Sequence, residues 1–572
     1  MIHATRPRLK LLALAANLTF ASIAAAQVGA GGAPPSVAGT FATQVPTEVM
    51  PALDVDALLA EDAANAGESV PFRFGWGHEV QLGLQEAGVW EELPGGDRLW
   101  RLRVQSPGAW SLNLIFDRYA LPDGARLWVR NDAGRVLGAF TSALNQPHGM
   151  FATEPIAGDA VTLEYVEPAA APLGALRVKQ VVHAYRDILG QGDGSSQNAK
   201  RGGSTKAGAC NINVNCPLGA GWQDQKRSAA RLVIGGSLCS GALINNTARD
   251  SRQFFLTANH CYTGDPATWV FQFNYEAATC SGNTGIPQTV TGSVLRSKSA
   301  SALSDHCLVE ITQFIPTSFD VFYSGWTRST TPATTSTGMH HPSGTIKKIC
   351  QDNQPLAQAS FQGAPCWKVG NWEQGVTEGG SSGSPLYDQN KRIVGQLYGG
   401  QANCATPIND YYGRFDVSWG QGLAAYLDPL GTSPMVLDGM EATPPPVSTY
   451  CTAKTNSLGN KPQITSGGSP SFALNDFVIE CVGGIPHSNT ILFYGSGQAA
   501  TPFAGGKLCA APPYHREPLK VFDSLGCVQY SIPVKAAMVG SARFYQFWGR
   551  DAQHPDGTGT LLSNALEVHF QN

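Results

Sequence analysis

The stretch TEGGSSGSPLYD, Thr377 to Asp388, sets Ser381 beside Ser382, with Ser384 two places on and three glycines among them. A serine hydroxyl is a poor nucleophile at neutral pH. To attack a peptide carbonyl it needs a general base, a group that orients the base, and backbone N–H donors for the oxyanion that forms. A glycine-rich turn can supply the donors, because it aims N–H groups at one point without side chains in the way. The base and its partner must then come from elsewhere in the chain.

Upstream, RQFFLTANHC (Arg252 to Cys261) reads as an apolar strand running into a short turn that presents His260, with Cys261 able to pin the turn. SDHCLVEI (Ser304 to Ile311) places Asp305 at the head of another apolar strand. The chain order is therefore His, Asp, Ser, as on the chymotrypsin scaffold. The local contexts are more specific than the order. CSGALI (Cys239 to Ile244), LTANHC, and GGSSGSP followed by a strand and the pair Gly399-Gly400 resemble the trypsin/chymotrypsin superfamily. More closely, Cys210 to about Met440 resembles the lysyl endopeptidase family, secreted bacterial serine proteases that cut after lysine. The matching pieces are CNINVNC, LTANHC, HHPSG, VTEGGSSGSPLYD, GQLYGG and NDYYGRF.

Carried over by motif, the resemblance makes His260 the general base, Asp305 its orienting carboxylate and Ser382, the serine before Gly383, the nucleophile. The N–H groups of Gly380 and Ser382 become the oxyanion hole. Ser381 and Ser384 stand where most trypsin-like enzymes keep an aspartate, which captures a newly freed N-terminus, and a glycine. With no carboxylate at 381, activation is expected to depend on removal of an N-terminal unit. The resemblance also pairs Cys210 with Cys404, Cys216 with Cys280, and Cys239 with Cys261 beside the base. A Cys350 to Cys366 bridge is expected, which leaves Cys307, in an apolar strand, as a buried thiol.

A pocket that selects a cation needs a carboxylate in its depths, because an unpaired buried ammonium is strongly disfavoured. Trypsin keeps its aspartate six residues before the nucleophile, where this chain has Val376. The lysyl endopeptidases take theirs from a D-x-Y-G-R context, matched here by Asp410, with Asp416 in FDVSW as the competitor. The Gly-Gly strand contributes Tyr398 and Gly399 to the substrate site. The best-known relative has a histidine at the position of Tyr398, stacked on a tryptophan; the candidates for that tryptophan here are Trp372 and Trp367, with simple core packing as the alternative for either.

The remaining sequence frames this site. Residues 1–26 carry Arg6, Arg8 and Lys10, an apolar run from Leu11 to Ile23 and Ala24-Ala25-Ala26, the pattern of a cleaved export signal, too short and interrupted for the about 20 residues of a span. Export makes the 13 cysteines readable as disulfides. None lies between Gln27 and about Lys200, nine lie from Cys210 to Cys404, and four from Cys451 to Cys527, which separates three units. The expected fold is all-β: an N-terminal β-sandwich propeptide at 27–206, a chymotrypsin-like double β-barrel protease domain at 207–440, a proline-rich linker at 441–449 and a C-terminal β-sandwich module at 450–572. The front unit is expected to serve as intramolecular chaperone or inhibitor and to be cut off at Lys200 or Lys206.

A formal net charge of −4 with 14% charged residues is not the profile of a nucleic-acid binder. No CxxC pair or HExxH helix gives ligand geometry to a metal, so His340 and His341 read as structural and no cofactor is expected. The expected protein is an extracellular monomer acting on protein and peptide substrates. Two other readings stay open. One is the same scaffold with Arg or acidic specificity, since glutamyl endopeptidases also carry Gly-x-Ser-Gly-Ser-Pro; the other is a non-catalytic adhesin of three β modules.

Overall fold

The computed structural model describes residues 27–571 except 40, 42–43, 66–68, 123, 170, 191–205, 443–446, 468–469, 473–474, 476 and 525. The expected export signal and the Lys200 cleavage site lie outside the described residues. The chain divides into two units. One takes the described residues of Met1–Leu58, Phe74–Ser204 and Ile286–Thr291; the other takes Leu59–Arg73, Thr205–Gly285 and Gly292–Asn572. No helix among the described residues is long and apolar enough to cross a membrane.

The first unit is a β-sandwich. In one sheet Ala160–Glu167 lies between Arg98–Gln105 and Arg126–Asn131; in the other Ala175–Ala184 lies between Ser111–Ala120 and Gly75–Gly83. Side chains alternate faces along a strand, so Val161, Leu163 and Tyr165 from the first sheet meet Leu112, Leu114 and Phe116 from the second in one core.

The second unit holds two antiparallel sheets with the protease motifs. The first runs, in spatial order, Val270–Phe273, Ala229–Ile234, Ser237–Leu243, Phe254–Ala258, His306–Ile311 and Ser293–Lys298. The second runs Lys348–Asp352, Ser336–His340, Pro385–Tyr387, Ile393–Gly400, Ile408–Arg414, Ala364–Asn371 and Ala357–Phe361. Their inner faces share a core of Ala242, Ile244, Phe254, Leu256 and Leu308 from the first with Met339, Ile349, Tyr387 and Ile393 from the second. This is an all-β, two-sheet arrangement. Beyond it, Thr560–His569, Ala542–Arg550 and Asn489–Gly495 form a sheet that packs with Gln463–Gly467, Val478–Val482 and Val528–Ser531 around Ile464, Ile479, Leu492, Phe547 and Leu566, a further β-sandwich.

Disulfides join Cys210 to Cys404, Cys216 to Cys280, Cys239 to Cys261 and Cys451 to Cys509. The expected Cys350 to Cys366 bridge is corrected: both are free, buried thiols, as is Cys307. The pleat explains it. Trp367 and Val369 pack in the cluster that holds Cys350, so Cys366, one residue out of phase with them, turns to the opposite face against Tyr398 and Ala364.

Candidate active site

The first sheet positions the base. Phe254–Ala258 ends in a single 3-10 turn, Asn259–Cys261, that carries His260. Asp305 stands at the start of the neighbouring strand, fully buried and with a left-handed backbone, φ 53°. A non-glycine residue adopts that conformation at a cost of about 1–2 kcal/mol, and here a lattice of hydrogen bonds holds it. Asp305 Oδ1 accepts from the His260 backbone N–H at 2.9 Å and from the Ser301 hydroxyl at 2.8 Å, while Oδ2 meets His260 Nδ1 at 2.7 Å. The Asp305 carbonyl accepts the Asn259 N–H at 2.8 Å. With Nδ1 fixed as the donor, Nε2 is the nitrogen left to take a proton. Nε2 is buried and has no hydrogen-bond partner among the described residues.

The second sheet supplies the serine. Ser382 is partly exposed in a turn between Thr377 and Pro385, and two glycines with positive φ shape that turn: Gly380 at 92° and Gly383 at 79°. Gly383 packs flat on the His260 strand. A Cβ there would come within 2.1 Å of Thr257 Oγ1 and 2.7 Å of the Ala258 N. The Ser240 N–H donates to the Ser382 carbonyl at 2.8 Å, and the Ser240 hydroxyl donates to the Gly380 carbonyl at 2.9 Å. Ser240 follows Cys239, whose bridge to Cys261 fixes the residue after His260. These ties fasten the turn that carries Ser382 to the strand that is bridged to the His260 turn. The N–H groups of Gly380 and Ser382 find no acceptor among the described residues, as an anion site requires. Gly383→Ala is expected to cost about 2–5 kcal/mol, from the left-handed backbone plus the overlap with Thr257, and to lower the melting temperature together with activity.

The serines on either side, Ser381 and Ser384, are buried. Ser381 is buried, accepts from the Glu378 N–H at 3.2 Å and shares a 2.7 Å hydrogen bond with His340 Nδ1. Burial drives the His340 pKa down to about 3, so the imidazole is neutral and Ser381 can donate to it. A carboxylate nevertheless faces the start of the protease segment, and the sequence reading missed it. Glu378 accepts from the Gly208 N–H at 2.9 Å, from Asn211 Nδ2 at 3.0 Å and from the Ser343 hydroxyl at 3.1 Å. It lies four residues before Ser382, so it couples the beginning of the segment to the serine turn. The visible signal was an acidic residue beside the glycines; its Gly208 partner is 170 residues away in the chain and Asn211 is 167. Glu378→Ala leaves these donors unpaired and is expected to cost about 1–3 kcal/mol, read by thermal unfolding.

Behind the serine turn, Asp410 is 2% exposed in the strand Ile408–Arg414. Trp372 Nε1 donates to its Oδ2 at 2.6 Å, and the Thr377 hydroxyl donates to the same oxygen at 2.5 Å. Burial carries the carboxyl up to about 6, against the pull of those two donors and the Ala402 backbone. On the facing strand, a Cβ on Gly400 would sit 2.2 Å from Asp410 Oδ1, so only glycine fits against that oxygen. The competitor Asp416 is engaged by Arg414, at 2.9 and 2.7 Å. Val376 is buried in an apolar cluster.

Tyr398 is the extra residue where the pairing of Ile393–Gly400 slips between Leu397 and Gly399. The bulge lays its ring over His260, with centroids 6.0 Å apart. Its other aromatic neighbour is Phe361, edge-on at 5.1 Å. Of the two tryptophans the sequence offered as its partner, Trp372 is turned to Asp410 and Trp367 lies under the Arg414 guanidinium, both within a buried apolar cluster. Gly399 follows on the same strand, opposite Tyr411.

Comparison with known proteins gives two family matches. The profile described as "Lysyl endopeptidase, C-terminal domain" matches residues 204–413, and "Lysyl endopeptidase N-terminal domain" matches residues 49–185. A lysyl endopeptidase of Pseudomonas aeruginosa is 30% identical over 372 residues, which cover 59% of this chain and 77% of that protein. Among solved structures, a mutant, inactive form of the M. tuberculosis H37Rv protein Rv3671c aligns at 14% identity, covering 39% of this chain and 94% of that one, with a TM-score of 0.25. A Glu endopeptidase aligns at 18% identity over 35% of this chain and 91% of its own, also with a TM-score of 0.25.

Proposed function

Since this chain belongs to the lysyl endopeptidase family and is a serine endopeptidase, we propose that Ser382, His260 and Asp305 form its catalytic triad and that Asp410 selects lysine. Ser382 Oγ attacks the carbonyl after the lysine and passes its proton to His260 Nε2; the oxyanion falls to the N–H groups of Gly380 and Ser382. His260 then protonates the leaving amine, and water, deprotonated by the same nitrogen, hydrolyses the acyl-enzyme. Asp305 holds the ring. The observation that carries this reading is the paired bond from His260 to Asp305, which leaves Nε2 without a partner among the described residues.

Lysine over arginine is supported by how Asp410 is already engaged. A guanidinium prefers both oxygens of a carboxylate, whereas an ammonium is satisfied by one. Oδ2 receives both Trp372 and Thr377, so a two-point bond to a guanidinium would have to compete with these donors. An acidic substrate residue would meet like charge there, which disfavours the glutamyl reading. We further infer export in precursor form, with residues 27–206 removed by a cut at Lys200 or Lys206. The test is digestion of a mixed peptide library by the purified protein, with the cut bonds identified by mass spectrometry. Cuts after lysine are expected; cuts distributed equally over lysine and arginine would remove the role given to Asp410, and no cuts at all would remove the triad.

A further inference from the structure

The segment Leu59–Arg73 groups with the protease unit, although the residues on both sides of it in sequence belong to the N-terminal sandwich. Its end is bound as a strand. Phe72 pairs with Leu238 and Arg73 with Ser237, antiparallel, on the strand that continues through Cys239 to Ser240 and so to the Ser382 carbonyl. The Phe72 ring also covers the glycine before the oxyanion turn: a Cβ on Gly379 would lie 3.0 Å from it. Three residues earlier, Ser69 Oγ lies 3.3 Å from the Cβ position of Gly399, the residue after the tyrosine that stacks on His260. One anchor therefore sits on each side of Ser382, and Val70 and Pro71 bridge them.

We propose that Ser69–Arg73 is a built-in pseudo-substrate, a strap that occupies the backbone path of a substrate through the active site and closes it. The proposal rests on the triad reading above. A protease would cut a strand so placed unless the strand were chemically unsuited, and this one is. No lysine occurs between Ser69 and Arg73, and the Val70 side chain is 51% exposed and so leaves the cation pocket unfilled. Cleavage of Val70–Pro71 would require Ser382 to bond to the Val70 carbonyl carbon while His260 protonates the departing proline nitrogen. That nitrogen is ring-closed, carries no hydrogen and fixes φ. Arg73, the one cation, is held by Glu61 at 2.9 Å and Asp62 at 2.7 Å from the helix Val55–Ala64 of the same chain. Cutting at Lys200 or Lys206 turns the strap from an attached group into a separate chain able to leave.

The test uses the full chain with Lys200→Gln, Arg201→Gln and Lys206→Gln, so that the strap stays attached. A fluorophosphonate probe reports access to an activated serine. Adding Phe72→Asp is expected to raise the rate of Ser382 labelling about tenfold or more, the factor that corresponds to weakening the closed state by 1.4 kcal/mol. Adding Val70→Lys with Pro71→Ala instead is expected to make the strap a substrate, giving a new cut after position 70 at a rate independent of protein concentration, with other lysines intact. Equal labelling of Ser382 with and without Phe72→Asp, together with no cut at position 70, overturns the strap and leaves the triad standing. Absence of Ser382 labelling in every chain overturns the triad and the strap with it.

Discussion

Ser382→Ala is expected to lower kcat/KM for lysyl peptide bonds by about 10^5-fold while leaving the melting temperature nearly unchanged. The size follows from the way triad members act together: without the nucleophile, the base has no proton to take, and only the oxyanion donors and substrate binding remain. The structure explains why stability should be spared. Ser382 is partly exposed, and its backbone carbonyl, not its hydroxyl, makes the bond to Ser240 that holds the turn. Ser381→Ala is the control with the opposite signature, because that hydroxyl is buried between His340 and the Glu378 N–H. Its loss is expected to cost stability first. Steady-state kinetics on a lysyl substrate with thermal unfolding on the same samples separates the two; a Ser382→Ala protein that keeps parental activity would falsify the assignment of the nucleophile.

Asp410→Asn is expected to reduce kcat/KM on lysine substrates by about 10^2 to 10^3-fold, because removing one partner of a buried charge pair costs about 3–5 kcal/mol. Its effect on a small apolar ester should be slight. The same substitution changes the pH profile, with a definite sign. Burial raises the folded-state pKa of Asp410 from 3.8 to about 6. Between those values the folded protein keeps a proton that the unfolded chain has released, so the contribution of this group to stability is largest below pH 4 and is lost as pH rises through about 6. Lysine binding runs the other way, since the ammonium pairs with the ionised carboxylate. In the parent enzyme, kcat/KM for the lysine substrate should therefore fall below about pH 6 more steeply than for the ester. In Asp410→Asn the two profiles should coincide. Profiles that still differ would place the cation's partner elsewhere.

Much of the site was readable because its demands are local. A glycine must follow Ser382, where the backbone turns at positive φ against Thr257, and the GGSSG run displays that demand directly. His260 and Asp305 each stand where an apolar strand meets a turn, a pattern visible over ten residues. Glu378 was harder to read, because its role consists of donors from Gly208, Asn211 and Ser343, and nothing in TEGG says which distant N–H groups will arrive. The Cys350 and Cys366 pairing failed for a related reason. Two unassigned cysteines in one domain suggest a bridge, but the pleat of a single strand decides which face each thiol takes.

The sequence by itself determined the all-β class and offered the candidate positions for the chemistry, since these depend on residue type, strand periodicity and motif; three of the four bridges were what the family resemblance implied. Tertiary structure alone decided which partners those positions acquire: Tyr398 over His260 through a bulge, Trp372 and Thr377 on one oxygen of Asp410, and Phe72–Arg73 on the strand Ser237–Leu243. The physical reason is that antiparallel pairing and burial bring together residues tens to hundreds of positions apart, and one residue of register sends a side chain to the other face.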